Sequence, residues 1–177
     1  QTAPLPASYD LRNLDGRSYL GPVRNQGDAG TCYAFSAIAA AESTYNRATG
    51  RYDDAVANFA ESFIAWSLDP KYEGIMGNEG SNQRFDELQG LVDFGVPAEE
   101  AFPYVETDPG LPGHHWDAPR VKFSSWHRLP AYDVETMKRA LSTFGALDVG
   151  IFVGEPLGYY TGGVYDDDYH AATNVLD

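Results

Sequence analysis

Between Gly30 and Gly50 the chain runs from Thr31 to Thr49 without a glycine or proline, and alanine recurs at 34, 37, 39, 40 and 41. Such a stretch predicts a helix, and Gly50 is its natural stop, because glycine adopts the left-handed backbone that ends helices. No charged residue lies between Asp28 and Glu42, so the first turns of this helix are expected to be buried. Its small side chains would let neighbouring backbone come close. The helix opens at Cys32, the single cysteine of the 177 residues. One cysteine excludes an intramolecular disulfide and leaves two readings: a small buried hydrophobe, or a reactive thiol.

The rest of the chain divides by pattern. A second helix is predicted from Val56 to Leu68, ending before Pro70, and a third from Arg84 to Phe94, with Phe85, Leu88, Leu91 and Val92 on one face and Gly95 as stop. Segment 107–120, with Pro109, Gly110, Pro112 and Gly113, reads as a long loop. A helix follows from Val134 to Phe144, with Asp133 as N-cap and Gly145 as stop. Leu147, Val149, Ile151 and Val153 then alternate as in a strand, and Gly162-Gly163 and the stretch from Tyr169 suggest further strands. The expectation is one α+β domain spanning 1–177. Its lobes are helical over roughly 8–108 and β-rich over 109–177, with a cleft between them.

The net charge of −14 would repel nucleic acid and anionic membrane, and it could attract basic substrates. No apolar run approaches the ~20 residues of a membrane-spanning helix. The chain opens on Gln1-Thr2-Ala3-Pro4 without a Met, which reads as a processed product or a trimmed piece.

A thiol at a helix start meets exposed amides and the positive end of the helix dipole, both of which favour the thiolate. A thiolate nucleophile also needs a basic partner, for which histidine is the usual choice. His114 and His115 fall in the Pro/Gly-rich loop, where solvated surface residues are expected. His127 follows Trp126 and suits capping or packing. His170 sits before Ala171-Ala172 and after Asp166-Asp167-Asp168.

The segment Gln26-Gly27-Asp28-Ala29-Gly30-Thr31-Cys32-Tyr33-Ala34-Phe35-Ser36 resembles the nucleophile motif of papain and the cathepsins. In that family the histidine follows about 130–150 residues later, and His170 falls inside that window. The resemblance continues in order along the chain. Leu5-Pro6-Ala7-Ser8-Tyr9-Asp10-Leu11-Arg12 resembles the family's mature start, and Gly21-Pro22-Val23-Arg24-Asn25-Gln26-Gly27 its approach to the nucleophile. Asn78-Glu79-Gly80-Ser81-Asn82 is similar to its cleft loop, with Phe102-Pro103-Tyr104 after it. Tyr159-Tyr160-Thr161-Gly162-Gly163-Val164-Tyr165 resembles the run before its histidine.

A papain-like two-lobe cysteine peptidase is implied, made as a zymogen with a propeptide, exported to a secreted, periplasmic or lysosome-like compartment, and using no cofactor. Cys32 would attack the peptide carbonyl, His170 would protonate the leaving amine, and Gln26 would hold the oxyanion beside the Cys32 N–H. Gly30, Asn82, Gln83, Phe85, Gly150 and Ala171 would line the substrate cleft. Phe85, Gly150 and Ala171, with Asp168 nearby, would form a roomy pocket for the residue preceding the scissile one, accepting basic or apolar side chains.

The sequence departs from the family at three places. Ala29 and Ser81 stand where the family has a bonded cysteine pair. Gln83 and Arg84 replace two cleft-loop glycines. The histidine-orienting Asn would fall about 150 residues beyond Cys32, past Asp177, and Asn174, four residues after His170, is a poor substitute. A second chain completing the C-terminal lobe is therefore expected. A papain-like fold serving as an inactive binding module, or an incomplete fragment, is the alternative reading. Acyl transfer to an amine is a further rival. The Asp and His runs lack EF-hand or zinc spacing, and the stretch from Gly158 to Gly163 lacks the end of a phosphate loop.

Overall fold

The computed structural model describes residues 4–68, 77–80, 85–110, 116–151 and 154–162. Helix α1 runs Cys32–Thr49 and ends at Gly50, whose φ of 68° is left-handed and whose N–H returns to the Asn46 carbonyl. Ala34, Ala37, Ile38 and Ala41 form its buried face. Helix α2 is Asp86–Asp93, shorter than predicted at both ends: Phe85 is a left-handed N-cap rather than part of its apolar face, Phe94 is the C-cap, and Gly95 takes the left-handed turn after it. Of its predicted apolar face Leu91 is buried and Leu88 packs against the core from a half-buried position. Helix α3 is Val134–Thr143. Asp133 caps it: the carboxylate accepts from the Thr136 hydroxyl at 2.6 Å and from the Thr136 N–H at 3.0 Å. Those two bonds, the hydroxyl's first, hold the Asp133 carboxyl below its ordinary pKa.

The predicted helix from Val56 to Leu68 is helical only from Glu61. Residues 56–60 are not helical, and Phe59 bridges Ala98. The reason lies on α1, whose buried polar side chains take up the amides a helix would have used. The Ala57 N–H donates to Asn46 Oδ1 at 2.7 Å and the Phe59 N–H to Glu42 Oε1 at 2.6 Å. Beyond Glu61 the backbone winds as a π-helix, Phe63–Ser67, with the Leu68 N–H reaching the Phe63 carbonyl at 3.3 Å. This turn is the centre of the core: Phe63, Ile64, Ala65 and Leu68 have no exposure. Each large apolar side chain so buried contributes about 1.5–3 kcal/mol.

A two-residue antiparallel ladder joins β1 (Val96–Pro97) to β2 (Arg120–Val121). β2 ends the segment predicted as loop, and it brings residues 116–126 onto the same core. Trp116 packs edge-on to Phe63 and Phe94, Phe123 packs against Phe59, and Trp126 Nε1 donates to Gln89 Oε1 at 3.0 Å.

The strand predicted over 147–153 is not formed in its described part. Residues 147–151 make no ladder, and Val149 and Ile151 are 56% and 67% exposed. Alternation alone does not make a strand; a paired neighbour does, and no described segment pairs here. Residues 152–153 and the strands suggested from Gly163 onward lie outside the described residues.

The segment is tied to α1 instead. Gly145, at a φ of 147°, is packed so closely on α1 that a Cβ would meet Ser43 Oγ at 2.7 Å. The Ala146 N–H donates to Ser43 Oγ at 2.8 Å, Ser36 Oγ bonds Asp148 Oδ1, and the Arg47 guanidinium donates to the Ser142 carbonyl at 2.8 Å. Ser36, Ser43 and Arg47 therefore mark one stripe of α1, which also carries Cys32 at about the same angle around the axis. Among the described residues no helix is long and apolar enough to cross a membrane.

Candidate active site

Cys32 is the first residue of α1 and its thiol is exposed. Four contacts shape the loop that delivers it. Gly27 turns with a φ of 64°, and a side chain there would overlap the Glu106 carboxylate, which accepts the Asp28 N–H at 3.0 Å. Gln26 Nε2 donates to the Ala29 carbonyl at 2.7 Å, which closes the loop on itself. The Gly30 N–H donates to Asn78 Oδ1 at 2.6 Å, and a Cβ at Gly30 would overlap the Asn78 carbonyl oxygen. Glycine is thus required at position 30 by backbone packing alone. Tyr33, next to the cysteine, both donates to the Gly77 carbonyl and accepts the Gly77 N–H, at 3.0 and 2.8 Å.

Thr31 precedes Cys32 and is fully buried. It occupies the N-cap position, yet its hydroxyl makes no bond to the helix amides. That hydroxyl lies 2.7 Å from the Tyr104 hydroxyl, which donates to the Gln26 carbonyl at 2.8 Å. Tyr104 is itself anchored by its N–H on Glu99 Oε1 at 2.6 Å and by its ring, edge-on to Phe35 of α1 at 4.8 Å.

Beneath this loop lies a buried ionic cluster. Arg24 binds Glu42 through two bonds of 2.6 and 2.7 Å, and also pairs with Glu61 and reaches the Phe59 carbonyl at 3.2 Å. Burial lowers the Arg24 pKa, but its bonds and its attraction to Glu42 and Glu61 outweigh that and leave it raised. Burial also raises the carboxyls of Glu42 and Glu61 against the pull of Arg24. Glu99 is pushed up to about 7, by burial first and by the charge of Glu61, with the Tyr104 N–H opposing. Glu61 Oε2 and Glu99 Oε2 are both buried without a hydrogen-bond partner. A proton on Glu99 would let its carboxyl donate toward Glu61, an interaction that opposes the rise of the Glu61 carboxyl.

The remaining cleft candidates are distributed as follows. Phe85 precedes α2 with a left-handed φ of 58°; its ring lies 5.4 Å from Trp126 and 5.5 Å below the Arg128 guanidinium. Gly150 is exposed, and a Cβ there would meet nothing within 4 Å. His170, Asn82, Gln83 and Ala171 lie outside the described residues, as do Asp168 and Asn174. Thr31, Tyr104 and Asn78 were not singled out as site residues by their sequence. Tyr104 and Asn78 are motif members only, and the link of Tyr104 to Thr31 spans 73 positions.

Comparison with known proteins matches residues 5–176 to the papain family cysteine protease model. Cathepsin S of Mus musculus is 30% identical over 169 residues, covering 92% of this chain and 46% of the relative. Cathepsin K of Gallus gallus is 27% identical over 163 residues, with 92% and 45% covered. The chain spans about half the length of the curated relatives it matches. Among solved structures, the digestive procathepsin L2 proteinase of Tenebrio molitor larval midgut superposes with a TM-score of 0.74 at 25% identity, covering 95% of this chain and 50% of that one. Procathepsin L 3 of the same source gives 0.73 at 22% identity, with 94% and 51% covered. The fold is α+β and papain-like, and the chain belongs to the papain family of cysteine proteases.

Proposed function

We propose that the protein is a cysteine-type endopeptidase acting on peptide bonds of proteins or peptides. The observation that carries the reading is the exposed Cys32 thiol on the first residue of an 18-residue helix, at the end of a loop closed by Gln26. In this reading the Cys32 thiolate attacks the scissile carbonyl. The oxyanion is held by the Cys32 N–H and by the Gln26 amide, whose second hydrogen is free of the bond to Ala29. His170, as imidazolium, protonates the departing amine and then draws a proton from the water that hydrolyses the thioester. Gly30, Asn82, Gln83, Phe85, Gly150 and Ala171 are assigned to the substrate cleft. A propeptide in the precursor, a second chain completing the C-terminal lobe, and export to a secreted, periplasmic or lysosome-like compartment belong to the same proposal; the propeptide draws support from the procathepsin neighbours.

The test is intact-mass spectrometry after brief exposure of the native protein to a thiol-directed peptidyl epoxide. One addition, mapped to Cys32 and absent from a Cys32→Ser variant, is the expected outcome. No labelling under reducing conditions would refute it and favour the inactive binding module.

A further inference from the structure

We propose that the cavity between the end of α1 and the β1–β2 ladder is a second binding site, for a carboxylate carried on an apolar group, the chemistry of a peptide C-terminus that ends in leucine. The site stands apart from the peptidase reading. Tyr45 on its wall lies roughly 20 Å along α1 from Cys32, at about 1.5 Å per residue.

The hollow follows from the segment that is not a helix. Residues 56–60, held off by Asn46 and Glu42, run beside the ladder instead. The Ala60 N–H donates to the Pro97 carbonyl at 3.1 Å and the Glu99 N–H to the Asn58 carbonyl at 2.9 Å. Between this segment, the end of α1 and the ladder is a cavity of about 410 Å³, a size that takes a small ligand. Ala57, Phe59, Val96 and Val121 give it an apolar wall. Arg51, Asn58 and Glu100, all exposed, open it to solvent.

Two arginines carry the inference. In a chain with 26 acidic and 12 basic residues, Arg51 and Arg120 line this one cavity. Among the described residues neither forms an ion pair. Aromatic rings hold both in place instead. The Arg51 guanidinium lies 5.5 Å over the Tyr45 ring, with one long bond of 3.5 Å to the Ala55 carbonyl. The Arg120 guanidinium lies 5.3 Å over the Trp116 ring and 5.8 Å over that of Phe63. A ring face attracts the cation but leaves its in-plane N–H groups without an acceptor. Arg120 Nη1 is buried with no hydrogen-bond partner. A buried donor left unpaired is costly, and a carboxylate, which takes guanidinium bonds in pairs, supplies what both side chains lack.

The apolar wall selects a carboxylate on a hydrocarbon group over an inorganic anion. Glu100 repels a bare anion, but it accepts the N–H that the last residue of a peptide carries beside its carboxylate.

The test is a backbone-amide NMR titration of the protein, in a Cys32→Ser background, with N-acetyl-leucine, N-acetyl-leucinamide and isocaproate. N-acetyl-leucine should shift amides around Phe59, Val96 and Val121 with a Kd of about 1 mM or below, as suits a ligand of its size. The leucinamide, which replaces the carboxylate by a neutral amide, should bind at least about tenfold more weakly. Arg51→Met should weaken the acid about two- to fivefold, the range of an exposed ion pair, and Arg120→Met about tenfold or more. Ala98→Phe, at an exposed position on the wall, should block both acids.

N-acetyl-leucine binding more tightly than isocaproate assigns the site to peptide ends, and equal binding assigns it to free apolar acids; both support it. Leucinamide binding as tightly as the acid, no shifts around the cavity, or wild-type binding by Arg51→Met would overturn the proposal. If Arg120→Met does not fold, the exposed Arg51 and Ala98 decide alone.

Discussion

Replacing Glu99 by glutamine should flatten the pH dependence of stability. The Glu99 carboxyl titrates at about 7 in the folded protein, against an ordinary 4.5. Between those values the folded state holds a proton that the unfolded chain has released. Stability from this group is therefore greatest below pH 4.5, falls as pH rises through the window, and levels off above about 7. At 1.36 kcal/mol per pH unit the full span would be roughly 3 kcal/mol for a shielded group. Glu99 is only half-buried, and solvent screening brings the expected loss to about 1–2 kcal/mol. Glutamine keeps the acceptor for the Tyr104 N–H and supplies an N–H toward the orphaned Glu61 Oε2, so it imitates the protonated acid at every pH. Urea unfolding at pH 4.5, 6 and 8, in a Cys32→Ser background to prevent autolysis, reads the difference. The two proteins should match at pH 4.5, and the Glu99→Gln protein should be the more stable by about 1–2 kcal/mol at pH 8. Glu42 and Glu61 titrate in both and cancel. Parallel curves across the window would refute the assignment of the proton to Glu99.

Gln26→Ala should lower kcat by about 10²–10³ with little change in KM, the usual loss for one oxyanion donor, as steady-state kinetics on a peptide substrate would show. Arg24→Met strands Glu42 and Glu61, which are nearly fully buried, and should cost about 3–5 kcal/mol in urea unfolding at pH 7; lowering the pH should recover part of the loss. Gly30→Ala drives a methyl group into the Asn78 carbonyl and should cost about 1–3 kcal/mol. It should also slow Cys32 alkylation, because the loop that must move leads directly into Cys32.

What could be read in the sequence follows from how local its causes are. Helix α1 was legible because a run without glycine or proline, closed by Gly50, dictates it from within. Helix α3 was legible because Asp133 and Gly145 stand at its ends. The segment at 56–60 was misread because its conformation is set by Asn46 and Glu42, side chains on another element that intercept its amides. Alternation at 147–151 marked residues suited to a strand but could not supply a neighbour. Cys32 and Gln26 are singled out by an ordered motif, and the structure places them at the opening of α1 and in the loop before it.

The stripe of α1 that carries Cys32 at one end and Ser43 and Arg47 at the other fixes the residue count of the helix between them. Inserting or deleting one residue between Ser36 and Ser43 would rotate the far end by about 100° relative to Cys32. The contacts to Ala146 and Ser142 would then be lost, or the thiol would turn relative to the loop that delivers it. An insertion in the exposed stretch at 107–109 disturbs no such register, whereas α1 tolerates only changes that keep its count.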